Sequence, residues 1–174
     1  MRRYFFKDVD ELIARMKRLD SDMGPIRLQK SLYFLYAFYG ATFGKIQGST
    51  DKGELSEIEN SYPNELFNAE FEAWQYGPVI RDVYFKNRDL QYENMEDNTN
   101  SDYSNRDERE VLKFIDNLLD DLNEMSDFAL VDRTHQDNAW GSKFDIENPY
   151  DSKAIDNQEL IAEYENEMRK ASAI

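Results

Sequence analysis

The stretch Pro25–Gly44, PIRLQKSLYFLYAFYGATFG, constrains the fold more than any other. At 3.6 residues per turn it reads as a helix of about five turns. Its apolar side chains cover nearly every side, so no face is left for water and the rest of the chain must wrap around it. It is too short and too rich in tyrosine to span a bilayer. Pro25 suits the first helical turn, where its missing N–H costs nothing. This segment is therefore expected to be the central helix of one globular domain.

Other segments supply the wrapping. Val9, Leu12, Ile13 and Met16 follow i, i+3, i+4, i+7 spacing, which predicts an amphipathic helix over Asp8 to Leu19. Val111, Phe114, Ile115, Leu118, Leu119, Leu122 and Met125 form the cleanest stripe in the chain, and Ser126 caps a shorter helix after it. Leu160, Ile161, Tyr164 and Met168 mark a C-terminal helix with acids early and Arg169 and Lys170 late, as the helix dipole prefers. LFNAEFEAW alternates imperfectly and is compatible with a short strand. Gly77 is expected to turn the chain, and Pro78 to start a helix running to about Asn87. Two polar segments, 44–66 and 89–107, read as acidic loop insertions, the second as a mobile surface loop. The expected architecture is mainly α, a single compact helical domain with room for a short β element before the Gly-Pro turn. Its body is residues 1–150, and a C-terminal amphipathic helix over 151–174 packs on it.

Composition closes off much chemistry. The 174 residues contain no cysteine and one histidine, so disulfides, thiolate catalysis and multi-histidine metal sites are excluded. Acids at Asp8, Asp10 and Glu11 interrupt the start before a signal-peptide core could form, which points to a cytoplasmic protein. Residues 1–45 carry 9 Lys/Arg against 5 Asp/Glu, whereas 46–174 carry 12 against 31. A net charge of −15 repels phosphates, so direct nucleic-acid binding is not expected. It suits a basic or nucleic-acid-handling protein partner, or serves only to keep the chain soluble.

Individual sites carry weak signals. His135 lacks a positioned nucleophile, and its structural reading, at a helix end with Trp140 filling the core, is preferred to a ligand-binding one. No glycine-rich phosphate loop or nucleophile elbow occurs. Asp97 and Glu108 have the separation of the first and last ligands of an EF-hand loop. Asp102 stands where that loop needs glycine, however, and Thr99 where it needs an acid, so the spacing is chance and no metal is implied. Tyr33, Tyr36, Phe38 and Tyr39 are core by default and a binding groove if exposed. Candidate partner contacts are Tyr36 and Tyr39 with the insertion acids Glu54, Glu57, Glu59, Asp97 and Asp102.

Three motifs occur in order: IRLQKSLYFLYAFY (Ile26 to Tyr39), FEAWQYGPVIRDVY (Phe71 to Tyr84) and THQDNAW (Thr134 to Trp140). Together they resemble the Panacea domain, the SocA-like, phage-associated antitoxin domain, over roughly residues 9–140. Ala-Trp-x-Tyr-Gly-Pro-Val is the specific part. The resemblance implies a small bacterial or phage protein without catalytic activity or cofactor. It would neutralise a paired toxin by direct binding or, in one style, deliver it to a protease. Carried over by position, the motif residues are Leu28, Lys30, Tyr33, Phe34, Phe71, Trp74, Tyr76, Gly77, Pro78, Val79, Tyr84, Thr134, His135 and Trp140, mostly scaffold. Ser31 and Arg81 depart from the pattern, where an apolar residue and proline are common. An alternative use of an acidic scaffold is an anti-CRISPR protein that fills the nucleic-acid channel of a Cas nuclease such as Cas9. A third is an enzyme built on His135. In all cases Trp74, Val79, Val83 and Tyr84 are expected to lock the Gly-Pro corner against the central helix. Trp74→Ala is then expected to cost about 3–5 kcal/mol.

Overall fold

A computed structural model describes residues 2–44 and 62–172. The elements run α1 (Val9–Leu19), α2 (Pro25–Tyr39), a π-helical turn (Gly40–Gly44), β1 (Phe71–Trp74), β2 (Gly77–Ile80) and α3 (Arg81–Arg88). They continue with α4 (Thr99–Asp102), α5 (Arg106–Asn123), α6 (Asp127–His135), α7 (Asn138–Gly141) and α8 (Asn157–Ser172). The fold is mainly α, with a two-stranded sheet as its β element.

Helix α2 is the axle. Eleven of its residues are buried, from Leu28 to Tyr39, and it touches β2, α3, α5, α6 and α8. Burial on all sides follows from its lack of a polar face. The amphipathic helices surround it. Asp8 caps α1, Ser126 caps α6, and Asn105 forms a reciprocal capping box with Glu108 at the start of α5. Val111, Leu112, Ile115, Leu119 and Leu122 give α5 its buried stripe. On α8, Leu160, Ile161 and Tyr164 are buried. A Cβ at Gly40 would come within 2.6 Å of Ile161, so α8 can settle against the end of α2 only over a glycine.

Three expectations change. Pro78 does not begin a helix: it lies in β2, which pairs antiparallel with β1 in the register Phe71↔Ile80 to Trp74↔Gly77, and α3 starts at Arg81. The cause is tertiary. The Gln29 amide grips Ile80 from both sides, donating to its carbonyl (3.1 Å) and accepting from its N–H (2.9 Å). Lys30 Nζ donates to the Pro78 carbonyl at 3.0 Å. Side chains of α2 thus complete the outer edge of β2 as a further strand would. On the other side, the Ala73 N–H donates to the Lys153 carbonyl and the Ile155 N–H to Phe71, laying the C-terminal segment along β1.

The 89–107 segment is anchored rather than mobile. Tyr92, Thr99 and Tyr103 are buried, and Arg15, itself 3% exposed, reaches Thr99 and Asn100 while pairing with Asp116. The corner around Trp74 is also more open than expected. Trp74 is half-buried and Tyr84 exposed, while Val79 and Val83 are the residues that close against the core.

Candidate functional site

The two central motifs meet at one corner. Gly77 adopts φ +102°, and a Cβ there would lie 2.5 Å from Thr134 Oγ1 and 2.9 Å from Lys30 Cε. Glycine is required on both counts: the backbone is left-handed and the neighbours are close. Trp140 Nε1 donates to the Trp74 carbonyl at 2.8 Å. The rings of His135, Trp140 and Phe144 form a continuous stack with centroids 4.0 and 4.8 Å apart. His135 thus belongs to the scaffold corner. Burial holds its pKa below the ordinary value, reinforced by Lys30 and opposed by the Gln75 carbonyl and Asp132. Among the described residues, its buried Nε2 has no hydrogen-bond partner and no hydroxyl is poised there as a nucleophile.

Beneath the corner lies a closed polar network. Asp137, on the α6–α7 junction, accepts from Tyr33 and Tyr164, both at 2.6 Å, and from Arg133 at 2.7 Å. Burial, then the neighbouring Tyr164 and Asp137, drive the Tyr33 phenol far above its usual pKa, so it stays protonated and donating. Glu163 caps α7 by accepting from the Asn138 and Ala139 N–H groups, and Glu167 pairs with Arg133. Oxygens of Asp137, Glu163 and Glu167 lie within 4.8 Å of one another. Every one of these carboxylates is already engaged by protein donors, with a guanidinium among them, which is a helix-capping arrangement and a poor cation site.

Outside the corner a cleft of about 510 Å³ opens between the first turns of α2 and the β1–β2 hairpin. Lys30, Trp74, Tyr76, Val79 and Tyr84 line it, with Arg81, Gln29 and the Pro149–Ser152 segment. Five motif residues therefore converge on one opening. Tyr76 and Tyr84 are exposed on its wall. Trp74 packs on Tyr84 (5.2 Å) and under the Arg81 guanidinium (5.3 Å), which also pairs with Glu72 at 2.8 Å. Lys30 is 2% exposed, and burial alone lowers its pKa to about 7.

The remaining candidates are dispersed. Tyr36 and Tyr39 are fully buried, donating to Glu65 (2.6 Å) and the Pro63 carbonyl (2.7 Å), so they are core and not an exposed groove. Asp97 is covered: its side chain is 2% exposed, pairs with Arg18 and accepts from Thr99. Asp102 is exposed. Glu108 caps α5 and pairs with Arg2, so it shares no ligand set with Asp97. Glu54, Glu57 and Glu59 lie outside the described residues. The cleft wall from Pro149, Tyr150 and Ser152 was missed from sequence, because it is assembled only when the chain returns along β1.

This is a helical domain whose exposed aromatics and cleft are organised around a Gly-Pro hairpin. Residues 59–141 match the family model described as Antitoxin SocA-like, Panacea domain, so the resemblance read from the second and third motifs is borne out there. The match begins after α2, whose motif lies outside it. No curated protein and no solved structure matches the chain. Among the described residues, no helix is long and apolar enough to cross a membrane.

Proposed function

We propose that the protein is a non-catalytic, protein-binding inhibitor of the antitoxin kind, which neutralises a protein toxin by direct contact. The observation that carries this reading is the antitoxin-like family match over 59–141, whose hairpin and following helix α3 bring Trp74, Tyr76 and Tyr84 to one cleft. Exposed aromatics beside a cleft are the usual anchors of a protein interface. The net charge of −15 steers a basic partner toward the surface and weakens its capture as salt rises. The unit that acts is the whole chain, with α8 packed against α2. Co-expression with the toxin encoded beside it is expected to restore growth, and the two proteins to co-purify. Loss of both results would overturn the reading. The same charge supports a second target, a Cas nuclease whose nucleic-acid channel the acidic surface would fill. Undiminished DNA cleavage at excess protein would dismiss that target.

A further inference from the structure

Lys30 is an anomaly in this molecule. The chain carries 36 acidic residues, yet none among the described residues pairs with this amine, which is buried with the Pro78 carbonyl as its hydrogen-bond acceptor. A buried ammonium without a counter-charge is strongly disfavoured, and here desolvation is the cause of the lowered pKa. The other groups nearby do not relieve it. His135, from α6, is basic and its Nε2 has no partner among the described residues, and Arg81, across the cleft, is neutralised by Glu72. Asp137 is engaged by Tyr33, Tyr164 and Arg133. The first turn of α2, which lines the same cleft, has no acidic residue and no side-chain cap, so its N–H groups add positive potential.

We infer that the cleft is a binding site for a carboxylate carried on an aromatic or aliphatic body, with Lys30 supplying the counter-charge and Trp74, Tyr76 and Tyr84 the apolar walls. The volume is in the range of small-molecule sites. The carboxylate can come from a free metabolite-sized acid or from the C-terminal residue of a protein chain. The inference does not rest on the antitoxin reading, and either can fail alone.

The test uses the full chain and three probes: 3-phenylpropionate, its neutral amide, and a tetrapeptide ending in phenylalanine with a free carboxylate. Tryptophan fluorescence and melting temperature report binding. The acid is expected to bind at least about tenfold more tightly than the amide, equivalent to about 1.4 kcal/mol. Binding the anion favours protonated Lys30, so affinity should be constant from about pH 5, where the probe's own carboxyl is ionised, to about pH 7 and fall about tenfold per pH unit above it. Lys30→Met, which keeps the stem and removes the charge, should bind acid and amide alike, with no pH dependence. Its melting temperature and circular dichroism verify that it folds. A preference for the free acid over the peptide assigns the site to small molecules, and the reverse assigns it to a chain terminus. Equal binding of acid and amide by the wild type, or no response to either acid probe at their solubility limits, would overturn the inference.

Discussion

The Asp137 network and the Lys30 cleft adjoin the same corner and are built on contrary principles. Around Asp137 each buried charge and hydroxyl finds a partner, and a tyrosine from α2, a tyrosine from α8 and an arginine from α6 converge on one carboxylate. Around Lys30 a buried amine has no carboxylate among the described residues, three aromatic side chains line an open wall, and a cleft faces water. A closed network makes a scaffold rigid and specific. An open and underpaired one is where a ligand or partner has something to contribute. The motif residues therefore divide: Tyr33, Gly77, His135 and Trp140 hold the corner, whereas Trp74, Tyr76 and Tyr84 line the cleft.

The sharpest way to break this comparison is to open the closed side. Asp137→Ala leaves two buried tyrosine hydroxyls without their acceptor, while Arg133 keeps Glu167, and is expected to cost about 3 kcal/mol in urea unfolding. The two tryptophans separate the sides next. Trp140, 8% exposed and stacked between His135 and Phe144, should cost about 3 kcal/mol or more as alanine. Trp74→Ala should fall clearly below that, because Trp74 is only partly buried. Equal losses would erase the distinction. Gly77→Ala should cost about 1–3 kcal/mol from its positive φ, with the approach to Thr134 adding to it.

The Lys30 side gives a smaller, signed effect. Its folded pKa of about 7 lies below the ordinary 10.5, so the unfolded chain binds the extra proton across that window. The penalty for burying the amine is complete below about pH 7 and is relieved as pH rises toward 10, so stability rises with pH there. Lys30→Met should remove that slope, seen as the difference between the two proteins' unfolding midpoints from pH 7 to 9. The phenol of Tyr33 does not confuse this window, because burial keeps it protonated throughout.

Much of the scaffold was legible because it rests on periodicity. The stripes of α1, α5 and α8 and the all-round burial of α2 needed only spacing and side-chain type. The remainder depended on partners distant in sequence. Pro78 joined a strand because Lys30 reaches its carbonyl and Gln29 grips Ile80 two residues on, from 48 and 51 positions earlier in the chain. The polar 89–107 segment became ordered because Arg15 and Arg18 of α1 bind it, a link no local pattern displays. Tyr36 and Tyr39 are core rather than surface because Glu65 and Pro63 accept their hydroxyls. The site was half legible. The Trp-Tyr-Gly-Pro core marked the place, but which rings turn outward depends on how the hairpin sits against α2.

The most direct test of the division is the double variant Tyr76→Ala, Tyr84→Ala, measured for both stability and capture of the co-expressed toxin. Exposed side chains contribute little to folding, so its unfolding midpoint should stay within about 0.5 kcal/mol of wild type. Growth rescue and co-purification should be lost. Full rescue by the variant, or loss of rescue together with collapse of the fold, would contradict the account.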